Sequence, residues 1–168
     1  MIATAFAVAF VVYSCKSGLS EAGKLDLSAT PLQIVDSMNM VQTNKGKIEM
    51  RVVTGQMQRF DNDSVSREYF PEGMWVYAYT DDEVLESTIV SDEASHEKRK
   101  DSGEEIWKAF GNVVVKNIVK QQTMETDTIY WDRTKKEIYT DCYVRMYSPD
   151  GFMQGYGMRS DERARNSI

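Results

Sequence analysis

The run Trp107-Lys108-Ala109-Phe110-Gly111-Asn112-Val113-Val114-Val115 decides the fold. Its large apolar side chains recur every second residue on either side of a Gly-Asn interruption. A period of two sends Trp107, Ala109, Val113 and Val115 to one face of a strand, whereas a helix needs apolar residues every three to four positions. The same texture surrounds this run. Residues 33–44, 46–52, 73–79, 87–90, 126–131, 137–147 and 152–158 are rich in β-branched and aromatic side chains. Turn residues bound them, among them Asn44-Lys45-Gly46, Thr80-Asp81-Asp82, Asp101-Ser102-Gly103 and Ser148-Pro149-Asp150-Gly151. No window of about 15 residues beyond position 31 keeps a helical apolar stripe, so the fold class is all-β.

Spacing carries a second message. Trp107, Ala109, Val113 and Val115 recur as Ile138, Thr140, Val144 and Met146, and the pairs Ser91-Asp92, Thr126-Asp127 and Ser160-Asp161 follow one another at similar intervals. Antiparallel units of this kind cannot bury a face singly, so they stack as two packed sheets over a shared interior. With 168 residues, 42% hydrophobic and 27% charged, the chain supports one domain with a real core. A net charge of −6 repels nucleic acid, which is excluded as a partner.

Enzymatic chemistry finds little purchase. His96 is the single histidine, and within the charged connection of residues 92–105 it reads as a solvated turn residue. The chain shows no nucleophile elbow, paired metal-ligand histidines or Walker loop, so neither a metal nor a cofactor is expected. The carboxylate pairs Asp81-Asp82, Asp92-Glu93 and Glu104-Glu105 fall in predicted turns and read as solvated charges. Gly155-Tyr156-Gly157 sits within a strand pattern and reads as a bulge or bend, not a phosphate loop.

The N-terminus reads as an address. Residues 2–13 carry no charge and lead into Ser14-Cys15, which matches a secretory apolar stretch ending in a lipobox with Cys15 as the lipidated thiol. A short uncleaved anchor is the alternative, since no basic residue precedes the stretch. The expected organisation is a signal peptide over residues 1–14, a flexible tether over 15–32, a β domain over 33–160 and a polar tail over 161–168. With Cys15 acylated, only Cys142 remains and no internal disulfide forms.

The informative surplus is oily: ten Met, three Trp, nine Tyr and six Phe. Parity and the repeat place Trp107, Val113, Val115, Ile129, Trp131, Ile138, Val144 and Met146 on one inward face. If the sheets close, these residues are only a core; if the sheets splay, they line a greasy trough in which deformable Met side chains suit acyl chains. A closed-core lipoprotein that binds only protein partners is the competing reading.

Several segments resemble the LptC family of lipopolysaccharide export in its Bacteroidetes-type form. They are Ser91-Asp92-Glu93-Ala94, the Trp107 to Val115 run, Thr126-Asp127-Thr128-Ile129-Tyr130-Trp131-Asp132, Ile138-Tyr139-Thr140-Asp141 and Gly155-Tyr156-Gly157-Met158. Asn44-Lys45-Gly46-Lys47-Ile48 and Tyr69-Phe70-Pro71-Glu72-Gly73 are similar too. The resemblance implies a twisted, partly open antiparallel β jelly roll, or β-taco, anchored at the periplasmic face of the inner membrane. It implies no catalysis. Such a protein accepts lipopolysaccharide from an inner-membrane ABC transporter, shelters the lipid A acyl chains, and passes them to an LptA-like periplasmic bridge. The last strand, with Phe152, Gln154, Tyr156 and Met158, is the expected docking edge, because an open edge offers unpaired backbone groups.

Overall fold

The computed structural model describes residues 30–161. The expected signal peptide, Cys15, most of the tether and nearly all of the polar tail lie outside the described residues. Every regular element within that span is a strand. In chain order these are β1 (Gln33–Asn44), β2 (Lys47–Asp61), β3 (Val65–Phe70), β4 (Met74–Tyr79), β5 (Leu85–Ser91), β6 (Glu93–Arg99), β7 (Glu105–Asn117), β8 (Gln122–Asp132), β9 (Glu137–Ser148) and β10 (Gly151–Asp161). The ten strands form one antiparallel sheet, so the fold is the all-β, partly open jelly roll that the sequence implied.

The two packed layers are two halves of that sheet, folded along a crease. The first half of β2 pairs with β4 and the second half with β3; β7 likewise pairs with β6 through its first half and with β5 through its second. β3 runs into β4 across residues 71–73, and β5 runs into β6 at Asp92, so each pair acts as one long strand crossing the crease. The chain is therefore an up-and-down meander whose passes from β2 through β7 cross the crease.

Local backbone chemistry explains the bend. The ladder registers shift between Phe110 and Val113, between Thr126 and Tyr130, and between Tyr156 and Met158, which marks a line of β-bulges across neighbouring strands. At the β7 bulge, Gly111 and Asn112 both adopt positive φ, 75° and 48°. A Cβ on Gly111 would sit 2.9 Å from the Asp92 Cβ, so only glycine fits there. Asn112 donates from Nδ2 to Asp92 Oδ2 at 2.6 Å. Backbone hydrogen bonds carry the crease onward, from Gly55 N to Glu72 O (3.3 Å), Gly73 N to Asp92 O (2.8 Å) and Asp92 N to Gly111 O (2.9 Å).

The repeats read from sequence are ladder rows. Trp107 pairs with Trp131 and Trp131 with Ile138; Val113 pairs with Thr126 and Thr126 with Val144. Residues that recur along the chain thus stand side by side across the sheet. Ser91-Asp92 and Thr126-Asp127 mark the crease, but Ser160-Asp161 lies beyond it, opposite Ile138 and Glu137. The bulge at Gly157 (φ 77°) confirms the bend expected around Gly155-Tyr156-Gly157.

Candidate functional site: an open apolar trough

Burial falls with distance from the crease. The rows flanking it are sealed: Thr54, Met74, Ser91, Val113, Thr126 and Val144 on one leaf, and Met57, Phe70, Ala94, Ala109, Ile129 and Thr140 on the other. One row further out Val52 and Met124 are still buried, but the same concave face is half-buried at Val76, Ile89, Val115 and Met146, and across from them at Trp107, Trp131 and Ile138. The cross-section is a V, packed at its base and open at its rim. Two sheets zipped shut would bury both rows alike.

Between the leaves lies an open apolar cleft with a cavity volume of about 80 Å³. Met50, Val52, Met74, Val76 and Ile89 line it from one leaf and Trp107, Ala109, Ile129, Trp131 and Ile138 from the other, with Lys108 and Tyr130 at its border. It is smaller than a closed small-molecule site, roughly 300–1,000 Å³, and is open along the concave face. The ladder crosses the whole sheet, so with strands about 4.8 Å apart the concave face runs roughly 34 Å from β1 to β10.

Each residue expected in a groove has a definite place. Trp107, Ile129, Trp131 and Ile138 line the cleft. Val115 and Met146 continue its wall toward β10, and Val113 and Val144 are its buried floor at the crease. The lining from β2, β4 and β5 did not stand out in the sequence. The alternation Met50, Val52 and then Met74, Val76 carried that signal, but nothing local says which face is concave.

Among the described residues β10 forms one edge of the sheet, pairing only with β9, and β1 forms the other, pairing only with β2. Phe152, Gln154 and Tyr156 pair with Tyr147, Arg145 and Tyr143, so their side chains share the convex face; past the bulge, Met158 pairs with buried Thr140 on the concave face. Phe152 and Tyr156 are 54% and 83% exposed.

His96 departs from the sequence expectation. It is not a solvated turn residue but lies in the middle of β6, on the concave face, paired with Glu68 and Trp107. Its Nδ1 is 3.1 Å from Glu68 Oε2 and its Nε2 3.1 Å from Glu105 Oε1. Arg133 Nη1 adds a 2.8 Å ion pair to the same Glu105 oxygen. The charges that made residues 92–105 look like a solvated tip instead pair across strands: Arg67 faces Glu97 and Lys98 faces Glu105. Glu93 accepts a hydrogen bond from the Tyr69 hydroxyl. On the concave side His96, Glu68 and Glu105 form a polar lip beside Trp107 at one end of the trough wall.

The described residues thus form a creased antiparallel sheet with an apolar slot on its concave side and an edge strand at either end. The chain matches, over residues 1–167, the family described as lipopolysaccharide-assembly, LptC-related. It belongs to that family, and its role lies in lipopolysaccharide export, where LptC is the periplasmic, non-catalytic component. A search of curated proteins found no match. No helix among the described residues is long and apolar enough to cross a membrane.

Proposed function

We propose that this protein binds lipopolysaccharide by sheltering its lipid A acyl chains in the trough, between an inner-membrane ABC transporter and an LptA-like periplasmic bridge. The carrying observation is the burial pattern of the concave face: Ile89 and Trp107 line the cleft from opposite leaves and stay half-buried, whereas the rows at the crease are sealed. Each CH₂ taken from water into such a slot gains about 0.8 kcal/mol, so partial burial of several chains holds the guest without a specific polar anchor. Hand-over then needs a second trough of matching section. The free β10 edge, spanning Phe152, Gln154, Tyr156 and Met158, supports this, because its unpaired N–H and C=O groups extend the sheet into the next molecule. Anchoring through a lipid on Cys15 fits a carrier that must stay beside its transporter.

The test is co-elution with lipopolysaccharide. Ile89→Arg, which puts a charge into the slot, abolishes it, while Tyr143→Arg on the convex face leaves it intact with both variants folded and monodisperse. Equal retention by both variants contradicts the reading.

A further inference from the structure

All ten methionines except Met1, which lies outside the described residues, fall on the concave face. This is not what a core of average composition does. One ladder row shows the distribution: Met40, Val52, Val76, Ile89, Val115, Met124, Met146 and Met153 are paired in succession from β1 to β10. The middle of the row is β-branched, and both ends are methionine. Met38 and Met158 add to the same two ends, on β1 and β10. Facing this wall, the cleft is bounded by Trp107 and Trp131, with Phe70 stacked behind Trp107 at 6.0 Å between centroids.

The two kinds of side chain behave differently. Val and Ile hold one dominant χ1 rotamer, and a flat indole pinned by a stacking partner cannot reshape itself. Methionine is unbranched, with three rotatable bonds and a polarisable sulfur, so it refills an irregular gap at little cost. We propose that the methionine-lined ends make this trough indifferent to acyl-chain shape, so that it accepts straight and methyl-branched chains of equal carbon number alike. This rests on the carrier reading above and adds to it what the site does not discriminate. A rigid apolar pocket distinguishes a single misplaced methylene by about 10-fold to 200-fold; a methionine wall forfeits that selectivity.

Isomeric probes isolate shape, because equal carbon number cancels the transfer free energy of the chain. Lysophosphatidylglycerols carrying normal, iso and anteiso pentadecanoyl chains are titrated against the wild-type protein and against a variant with Met40→Ile, Met124→Ile, Met146→Ile and Met153→Ile. The wild type binds the three isomers within about threefold, and the variant spreads them by about tenfold or more. Should the fourfold variant fail to fold, the pair Met40→Ile and Met153→Ile, at the two edge strands, shows the same trend more weakly. A wild type that separates the isomers by more than about tenfold, or a folded variant as tolerant as the wild type, overturns the inference. Folded wild type that binds none of the isomers overturns the carrier reading itself, and the inference with it.

Discussion

The imidazole of His96 lies flat against the indole of Trp107, with ring centroids 4.2 Å apart and planes 12° from parallel. Both ring nitrogens meet carboxylates, which only accept, so the two contacts are hydrogen bonds together only when the ring carries both its protons. The ring, held between the two carboxylates, backs the face of a tryptophan that lines the cleft. His96→Ala removes the stack and the contacts to Glu68 and Glu105, and leaves Glu68 without this partner. We expect a loss of about 1–3 kcal/mol in urea unfolding, together with a red-shifted tryptophan emission. An unchanged midpoint and spectrum would show that the clasp does not hold the wall.

Acid should loosen the same rim. The hydrogen bond from His96 holds the Glu68 carboxyl below its ordinary value of 4.5. Burial pushes the Glu105 carboxyl up, but Arg133 and His96 together bring it below the same value. Carboxyls depressed in the folded state take up protons more readily in the unfolded chain. The stability they contribute is present above the unfolded value and is lost as the pH falls through the folded one. The part of the urea midpoint that these two carboxyls supply is therefore held above about pH 5 and lost below it, and Glu68→Gln makes the drop shallower. A midpoint that does not fall below about pH 5 contradicts the assignment.

The crease depends on Gly111. Its φ of 75° and its 2.9 Å approach to Asp92 admit no side chain without displacing the neighbouring strand. Gly111→Ala should destabilise by about 1–3 kcal/mol, whereas Gly155→Ala, where an added Cβ meets nothing within 4 Å, should stay within about 0.5 kcal/mol of wild type. Equal effects at the two positions would mean that the bend is not set by this bulge.

Much of this architecture is legible in the chain because strand parity is local. The alternation around Trp107, Ala109, Val113 and Val115 survives the bulge, since the interruption at Gly111 and Asn112 keeps the count even and returns Val113 to the face of Ala109. Elsewhere the crease changes the count. In β2, Val52 and Thr54 are buried on one side of Gly55, yet Met57 and not Gln56 is buried on the other, so alternation alone loses the inward face there. β6 was illegible for another reason. Its Ser95, His96, Glu97, Lys98 and Arg99 carry no apolar signal, and they form a strand because β3 and β7 supply complementary charges on both sides. Whether the leaves splay or seal is likewise not local, because it depends on how far residues remote in sequence stand apart across the V.

The central claim is that a lipid's hydrocarbon occupies the concave side of the folded sheet, and site-specific photo-crosslinking in cells that make lipopolysaccharide tests it most directly. With p-benzoylphenylalanine placed at Val76 or Ile138 on the inner walls, and at Tyr143 or Gln154 outside, the account predicts lipopolysaccharide adducts at the first two positions and none at the others. Adducts of equal yield at all four positions, or at the outer pair alone, would contradict it.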